Sequence, residues 1–415
     1  MEVLHARCAG IDIGKKSAKV CVRVQGSGSR KTTNEVIDCG SMTREILQLR
    51  QYLVAERVTC IVMEATSDYW KPYYFLLEEL TSEGVELILA NARAVKNVPG
   101  RKTDVNDATW LADLAAHGLV RASFVPPPPI RELRDLTRTR TIVARERVRE
   151  MTRLEKRLES PGIKLSVVVS DLDGVSARRM LDALVAGERD PLVLANLAVP
   201  QMYRKHEQLV DALTGRFSDH DAFMIGLHLQ RIDELAATIT TLDDRIEEAI
   251  APFRLARDLL CTIPGVSTVV ADIIIAETGG DMSVFPTADH LASWAGVAPG
   301  QHQSAARKTN AKTRPGDCYL KGALGIASMS IARSNAHTHI AARYRRLRSR
   351  RGFSRALVAT EREILVAVWH MLTTHTDYHD LGENHYQHAH AQQATRRAVH
   401  QLKQLGYQVH LEKAS

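Results

Sequence analysis

The sequence has no long hydrophobic run and no paired-cysteine motif, and its first residues contain no apolar run; each absence argues against a class of function. Its most apolar stretch, VVADIIIA, stops well short of a membrane span. The N-terminal residues pass straight into a polar-flanked strand without an apolar h-region, so no secretory leader is expected. The six cysteines, at 8, 21, 39, 60, 261 and 318, form no CxxC pair and have no histidine at zinc spacing. Neither a disulfide framework nor a zinc site is indicated, and reduced, buried thiols in a cytoplasmic protein are the expectation. There is also no internal repeat.

What is present is an ordinary globular composition. With 415 residues, 45% of them hydrophobic and 25% charged, the chain is long enough for two or three domains. Lysine and arginine number 55 against 48 aspartates and glutamates, for a formal charge of +7. That mildly basic balance is compatible with a polyanionic partner and does not establish one.

Four regions can be drawn. In 1–125, CAGIDIG and AKVCVRV read as a hairpin, NEVIDCG as a third strand and TREILQLRQYLVAE as a helix. VTCIVMEAT follows as a fourth strand, YWKPYYFLLEEL as a helix and VELILAN as a fifth strand, which makes a mixed sheet with helices packed on it. The loop NARAVKNVPGRKT carries Arg93, Lys96, Arg101 and Lys102, and DVNDATWLADLAAHG has helical spacing with a glycine stop. VPPPPI closes the region as a stiff segment. Region 126–254 holds two long helices, one from Ile130 to about Glu159 and one from about Asp221 to Ile250. In the second, Ile232, Leu235, Ile239, Leu242, Ile246 and Ala249 form a heptad seam. The two helices could pair within one chain or between protomers. Region 255–372 reads as compact and α-helical. The polar tail 373–415, with HYQHAHAQQ, reads as unstructured or as a surface helix rather than as a metal site.

The residues that carry chemistry begin with AGIDIGKK. Strand alternation turns Asp12 away from Ile11 and Ile13, onto the side of Gly10 and Gly14. A carboxylate there must be solvated, paired or holding a cation; a strand-end aspartate opening a tight turn is the plain alternative. Glu64 ends the fourth strand, and Asp104 and Asp107 are spaced to be neighbours on one helical face, where each could equally be a cap. Four carboxylates converging at one sheet edge would repel one another unless cations lay among them. Oxygen donors suit Mg²⁺ or Mn²⁺, and a pair of such ions is the usual clamp for phosphodiester chemistry. Gly10 and Gly14 would then leave room for a substrate backbone.

GIDIGKKSAKVCV, VMEATSDYW and NARAVKNVPGRKTDVNDATWLADLAAHG resemble the N-terminal ribonuclease H-like, RuvC-type domain of the DEDD transposases, insertion-sequence recombinases related to the Piv and MooV invertases. IPGVSTVVADIIIAETGG, HLASWAGVAPGQHQSAARKT and RPGDCYLKGAL resemble that family's C-terminal transposase domain, in the same order. The resemblance covers roughly 5–120 and 255–372. It implies Asp12, Glu64, Asp104 and Asp107 as the four acids. The fold expected is α/β plus all-α: a RuvC-type mixed sheet, a long helical, coiled-coil middle and an α-helical transposase domain.

In the second half, TIPGVSTVVADIII looks like a helix-hairpin-helix, although Ser267 replaces its usual second glycine and an ordinary helical turn is an equal reading. RYRRLRSRR holds Arg343, Arg345, Arg346, Arg348, Arg350 and Arg351 with no acid among them, which favours a nucleic-acid surface over a merely solvated face. Ser304 lies in a polar loop with Arg307, Lys308, Lys312 and Arg314. The resemblance implies that Ser304 attacks DNA and forms a covalent phosphoserine. Here Ala305 follows it instead of glycine, and Lys321 stands where the later motif often has arginine; Thr309 is the weaker substitute.

The resemblance further implies double-stranded DNA, at element ends and target, as substrate, and guidance by a noncoding RNA. It also implies a homo-oligomer, dimer or tetramer, in which the long helices join protomers and the two catalytic domains meet. A junction nuclease would use the same acids and no serine. An actin-like sugar kinase would need a second phosphate hairpin and an adenosine segment, for which TGGD is the only faint candidate. A noncatalytic DNA-binding protein would find four convergent acids an electrostatic liability.

Overall fold

The structure is a computed structural model and describes residues 2–411 except 66, 93–94, 96–97, 99–105, 301, 305–306, 310–312 and 386–390. The chain forms two compact units, Met1–Val125 and Pro126–Ser415.

The first unit is built on a five-stranded sheet. Its strands are β1 (Arg7–Ile13), β2 (Ser17–Val24), β3 (Thr33–Gly40), β4 (Cys60–Glu64) and β5 (Glu86–Ala90). They lie in the order β3-β2-β1-β4-β5. The first three are antiparallel, and β1, β4 and β5 are mutually parallel. This is the ribonuclease H-like arrangement: an antiparallel hairpin with its third strand, extended on the β1 side by parallel strands that need helical crossovers. Helices α1 (Thr43–Ala55) and α2 (Trp70–Leu77) cover one face, packing Ile46, Leu49, Tyr73 and Leu77 on Ile11, Val20, Ile61 and Met63. Helix α3 (Asp107–Ala116) covers the other, setting Leu111 and Leu114 against Cys8, Cys60, Val62 and Ile88. Covered on both sides, β4 has four consecutive residues fully buried, Cys60 through Met63. Burial also pushes the Cys8 thiol up to about 11 and the Cys60 thiol up to about 12, and all six cysteines are free thiols.

The second unit opens with α4 (Pro128–Glu159). The helix starts two residues earlier than Ile130, because proline is tolerated in a first turn whose N–H groups have no intrahelical acceptor. Helix α9 (Asp219–Ala249) runs back along it. Arg140 pairs with Asp243, Glu150 with His228 and Arg157 with Asp221, an order only antiparallel helices give. The choice left open by the sequence is thus settled within the chain: α4 and α9 form one intramolecular arm. Between them, residues 160–218 form α5 (Leu165–Val168), α6 (Val175–Val185), α7 (Pro191–Ala195) and α8 (His206–Leu213). These short helices share a core with the arm's end, in which Leu165, Met180, Leu181, Leu194 and Leu209 meet Leu158, Ile225 and Leu229.

At the arm's root lies a helical bundle of α10 (Arg254–Cys261), α11 (Thr268–Thr278), α12 (Ala288–Trp294), α13 (Cys318–Arg333), α14 (His339–Arg351) and α15 (Phe353–Thr374). Helix α11 is buried from Val270 to Thr278. Its two acids are tolerated because each is ion-paired, Asp272 with Arg257 at 2.8 Å and Glu277 with Arg138 of the arm. Glu277 is 0% exposed and receives two guanidinium hydrogen bonds of 2.7 Å each from Arg138. The tail carries a further helix, α16 (Ala391–Gln404). No helix among the described residues is long and apolar enough to cross a membrane.

Candidate functional site

Asp12 and Glu64 are brought together by strand register. β1 and β4 are parallel, with Gly10 opposite Val62 and Ile11 opposite Met63; one step further on, Asp12 and Glu64 stand side by side at the strands' C-terminal ends. Both are half-buried, on the face covered by α3. On the other side of Asp12, β2 places Lys19.

Helix α3 rests its first turns on β1 at Gly10. It begins at Asp107, with the Asn106 side chain accepting a hydrogen bond from the Ala108 N–H at 3.1 Å. Asn106, rather than either aspartate, is the cap, and Asp107 takes the first helical position, where the macrodipole favours a negative charge. Asp104, which the sequence reading places on one helical face with Asp107, lies outside the described residues together with Arg93, Lys96, Arg101, Lys102 and Lys312.

Gly10 also needs a correction. A Cβ there would sit 2.2 Å from the Ala108 carbonyl oxygen and 2.4 Å from the Ala112 nitrogen. The space beside Gly10 belongs to the α3 backbone and is closed to a substrate. The glycine lets the first turn of α3 lie directly on β1, two residues from Asp12. Gly14 instead belongs to the β1–β2 turn, where its N–H donates to the Ser17 carbonyl at 2.9 Å.

Ser304 lies in a β-hairpin rather than a loop. Strands β6 (His302–Ser304) and β7 (Arg307–Thr309) pair antiparallel, Ser304 opposite Arg307 at the turn end and His302 opposite Thr309 at the other. Ser304 is thus the last paired residue before the turn, and Thr309 is at the hairpin's base. Below it, two backbones cross at glycines: a Cβ on Gly316 would lie 2.4 Å from the Ala295 carbonyl oxygen, and one on Gly296 2.7 Å from that of Arg314. Lys321 Nζ lies 3.4 Å from the Gly296 carbonyl oxygen and 3.4 Å from Thr313 Oγ1, tying the two sides of this crossing. Burial raises the Glu361 carboxyl and the Lys321 charge partly offsets the shift.

The arginine run forms most of α14. Arg343 pairs with Glu363 at 3.3 Å and Arg345 with Glu383 at 3.5 Å, while Arg346, Arg348, Arg350 and Arg351 are exposed. The hairpin-like turn before α11 is packed rather than open. A Cβ on Gly265 would lie 2.7 Å from the Ala327 carbonyl oxygen on α13, and Ser267 caps α11 through the Val270 N–H.

Comparison with known proteins decides the family. A DEDD transposase model of the IS110 type matches residues 9–161, and a model of the IS116/IS110/IS902 transposase family matches residues 257–345. Between them they span more than half of the chain. The chain belongs to the DEDD transposase family of insertion sequences. A 42 kDa uncharacterized protein of insertion element IS900 from Mycobacterium paratuberculosis is 26% identical over 329 residues, covering 73% of this chain and 81% of that one. A 43.6 kDa uncharacterized protein of IS110 from Streptomyces coelicolor is 29% identical over 312 residues, covering 70% and 75% respectively. The RuvC structure from Thermus thermophilus aligns at 15% identity and a TM-score of 0.22, covering 28% of this chain and 99% of that one; at that score the likeness says nothing about chemistry.

The donors of this transposase fit the divalent cation that its family implies. Asp12, Glu64 and Asp107 are oxygen donors of the kind a hard cation takes, but among the described residues their carboxylates do not form a group of three within 4.8 Å of one another. A different cluster, His5, Cys60 and Glu86, has its ligand atoms within 4.8 Å of one another. It sits at the opposite end of the strands, and its thiol holds its proton firmly. Sequence reasoning missed Lys19, whose place beside Asp12 depends on β1–β2 register, and the arginines of α15, Arg355 and Arg362. An Arg351-to-Arg355 spacing of four across Gly352 was the available signal.

Proposed function

We propose that this transposase cuts and rejoins DNA with the acids of its first unit and Ser304 of its second, as a homo-oligomer guided by a noncoding RNA. The observation that carries the reading is the register that sets Asp12 beside Glu64 where α3 begins. Asp12, Glu64, Asp104 and Asp107 would hold Mg²⁺ or Mn²⁺, which when bound supplies charge to offset that developing on a phosphate. In this reading the Asn106 cap and the close seat of α3 on Gly10 would position Asp107 for that role.

Ser304 is the nucleophile of this reading. Its Oγ forms a bond to phosphorus as one P–O bond of the strand breaks, and the hydroxyl proton ends on the oxygen released. The covalent link keeps the phosphodiester energy for rejoining, which runs the same exchange in reverse. Arg307, Lys308, Lys312 and Arg314, close to Ser304 in sequence, would supply positive charge, and the α14 arginines would add a surface for backbone phosphates.

The experiment is denaturing trapping of a protein–DNA adduct from labelled element-end DNA, with the element's flanking RNA supplied. Ser304→Ala should lose both adduct and recombinant product and keep nucleic-acid binding. An adduct persisting in Ser304→Ala and mapping to Thr309 would move the nucleophile. Cleavage with no adduct in the wild type would make the protein a hydrolytic junction nuclease. Asp12→Asn and Asp104→Asn should abolish product while binding survives; near wild-type recombination in either would remove that acid from the site.

A further inference from the structure

Beside the serine hairpin, α14 and α15 leave a groove of about 890 Å³. Residues flanking the hairpin, among them Pro299 and Thr313, line it. Arg343, Arg351, Arg355 and Arg362 also line it, together with the apolar Leu347 and Val358. No carboxylate lines the groove among the described residues.

The four arginines differ in how they are held. Arg343 is fixed from behind by Glu363 and Arg362 by Asp289 at 2.5 Å. Arg351 and Arg355 are exposed, and neither makes an ion pair among the described residues. Two uncompensated guanidiniums lining one groove repel each other and concentrate positive potential at its mouth, a cost relieved only when an anion enters. Guanidinium geometry matches phosphate oxygens two at a time, and an apolar lining suits the sugar edges between successive phosphates.

We propose that this groove binds the sugar–phosphate backbone of the DNA strand attacked by Ser304, with Arg351 and Arg355 on phosphates next to the cut and Arg343 and Arg362 fixing the strand's path. The inference rests on the Ser304 reading for the choice of strand. Since Pro299 and Thr313, which flank the Ser304 hairpin, line the same groove as the arginines, a strand reached by Ser304 passes the groove with its neighbouring phosphates. Arg355 and Arg362 lie outside the arginine run and join it only through the α14–α15 turn at Gly352.

The test uses the full chain and element-end DNA in which single phosphates around the cut are replaced by methylphosphonate. In the wild type, neutralising one or two particular phosphates should weaken binding; in Arg351→Gln/Arg355→Gln the same replacements should cost nothing more. The wild type should also lose about 12-fold more affinity than the variant between 50 and 200 mM salt, from two contacts at a slope of about 0.9 each. Both side chains are exposed, so the variant should fold, and circular dichroism checks that it does. Equal salt slopes and equal methylphosphonate effects in the two proteins would overturn the proposal. So would a loss confined to RNA of the same sequence, which would give the groove to the guide. Binding needs no covalent step, so the two readings fail separately. Coupling without any adduct sinks the serine and keeps the groove, whereas a normal adduct without coupling sinks the groove.

Discussion

Replacing Gly10 by alanine tests the link between the fold and the carboxylate edge. The added Cβ would lie 2.2 Å from the Ala108 oxygen and 2.4 Å from the Ala112 nitrogen, where ordinary contact begins at 3.4 Å. Both obstacles are backbone of α3, so no side-chain rotation relieves them and the helix must retreat by about 1.2 Å. Overpacking of this kind costs about 1–3 kcal/mol, and two backbone clashes place Gly10→Ala near the upper half of that range. About 2–3 kcal/mol corresponds to a 30- to 150-fold rise in the opening of α3, readable as faster hydrogen exchange in residues 110–116. On the proposed acid site, recombination should fall further than stability alone explains, because moving Asp107 by about 1 Å relative to Asp12 and Glu64 is the kind of misplacement that costs on the order of 100-fold. Gly14→Ala is the control: its Cβ meets only the Ser17 oxygen, at 3.0 Å. If α3 amides in Gly10→Ala exchange at wild-type rates, the helix does not rest on this glycine and the account of the site's assembly is wrong.

Two further predictions concern the second unit. Asp221 is held low by the Ser218 hydroxyl and backbone N–H, Glu150 by the His228 ring N–H, and Asp233 by Arg178. Lowered carboxyls stabilise above their unfolded values of about 3.9 for Asp and about 4.3 for Glu and lose that contribution as pH falls through their folded values. In the bundle, burial instead raises Asp272, Glu277, Glu361 and Glu363, so acidification favours the folded state through them. Hydrogen exchange should therefore show the arm's tip, 165–213, losing protection below about pH 4 before α11 does; simultaneous loss would contradict the assignment. Separately, Arg138→Ala leaves Glu277 buried with only Arg134, 3.3 Å away. That should cost about 3 kcal/mol in urea unfolding, partly recovered by adding Glu277→Gln, and a neutral single variant would refute it.

Local pattern was enough for much of this transposase. The alternation in CAGIDIG and the unbroken apolar run in CIVM fixed strands and their faces, because side-chain direction in a strand has a period of two whatever the strand packs against. The heptad seam on α9 likewise declared a helix with a partner. The carboxylates were legible as a set through family motifs, and singly each had a bland explanation.

What the tertiary structure decided depends on distances between residues far apart in sequence. Register made Asp12 and Glu64 neighbours, and the collision waiting at Gly10 turned a supposed substrate gap into the seat of a helix. Antiparallel ion pairs assigned the arm to one chain. The small helices at its tip escaped the sequence reading: three of them span eight residues or fewer, and all are held by a core shared with the arm. The groove beside the hairpin joins the hairpin's flanks to α14 and α15, which no spacing relates to them. Sequence determines local conformation because its causes lie within a few residues, whereas a site of gathered charge exists only once the chain has folded, since Coulomb interactions follow distance in space and not along the chain.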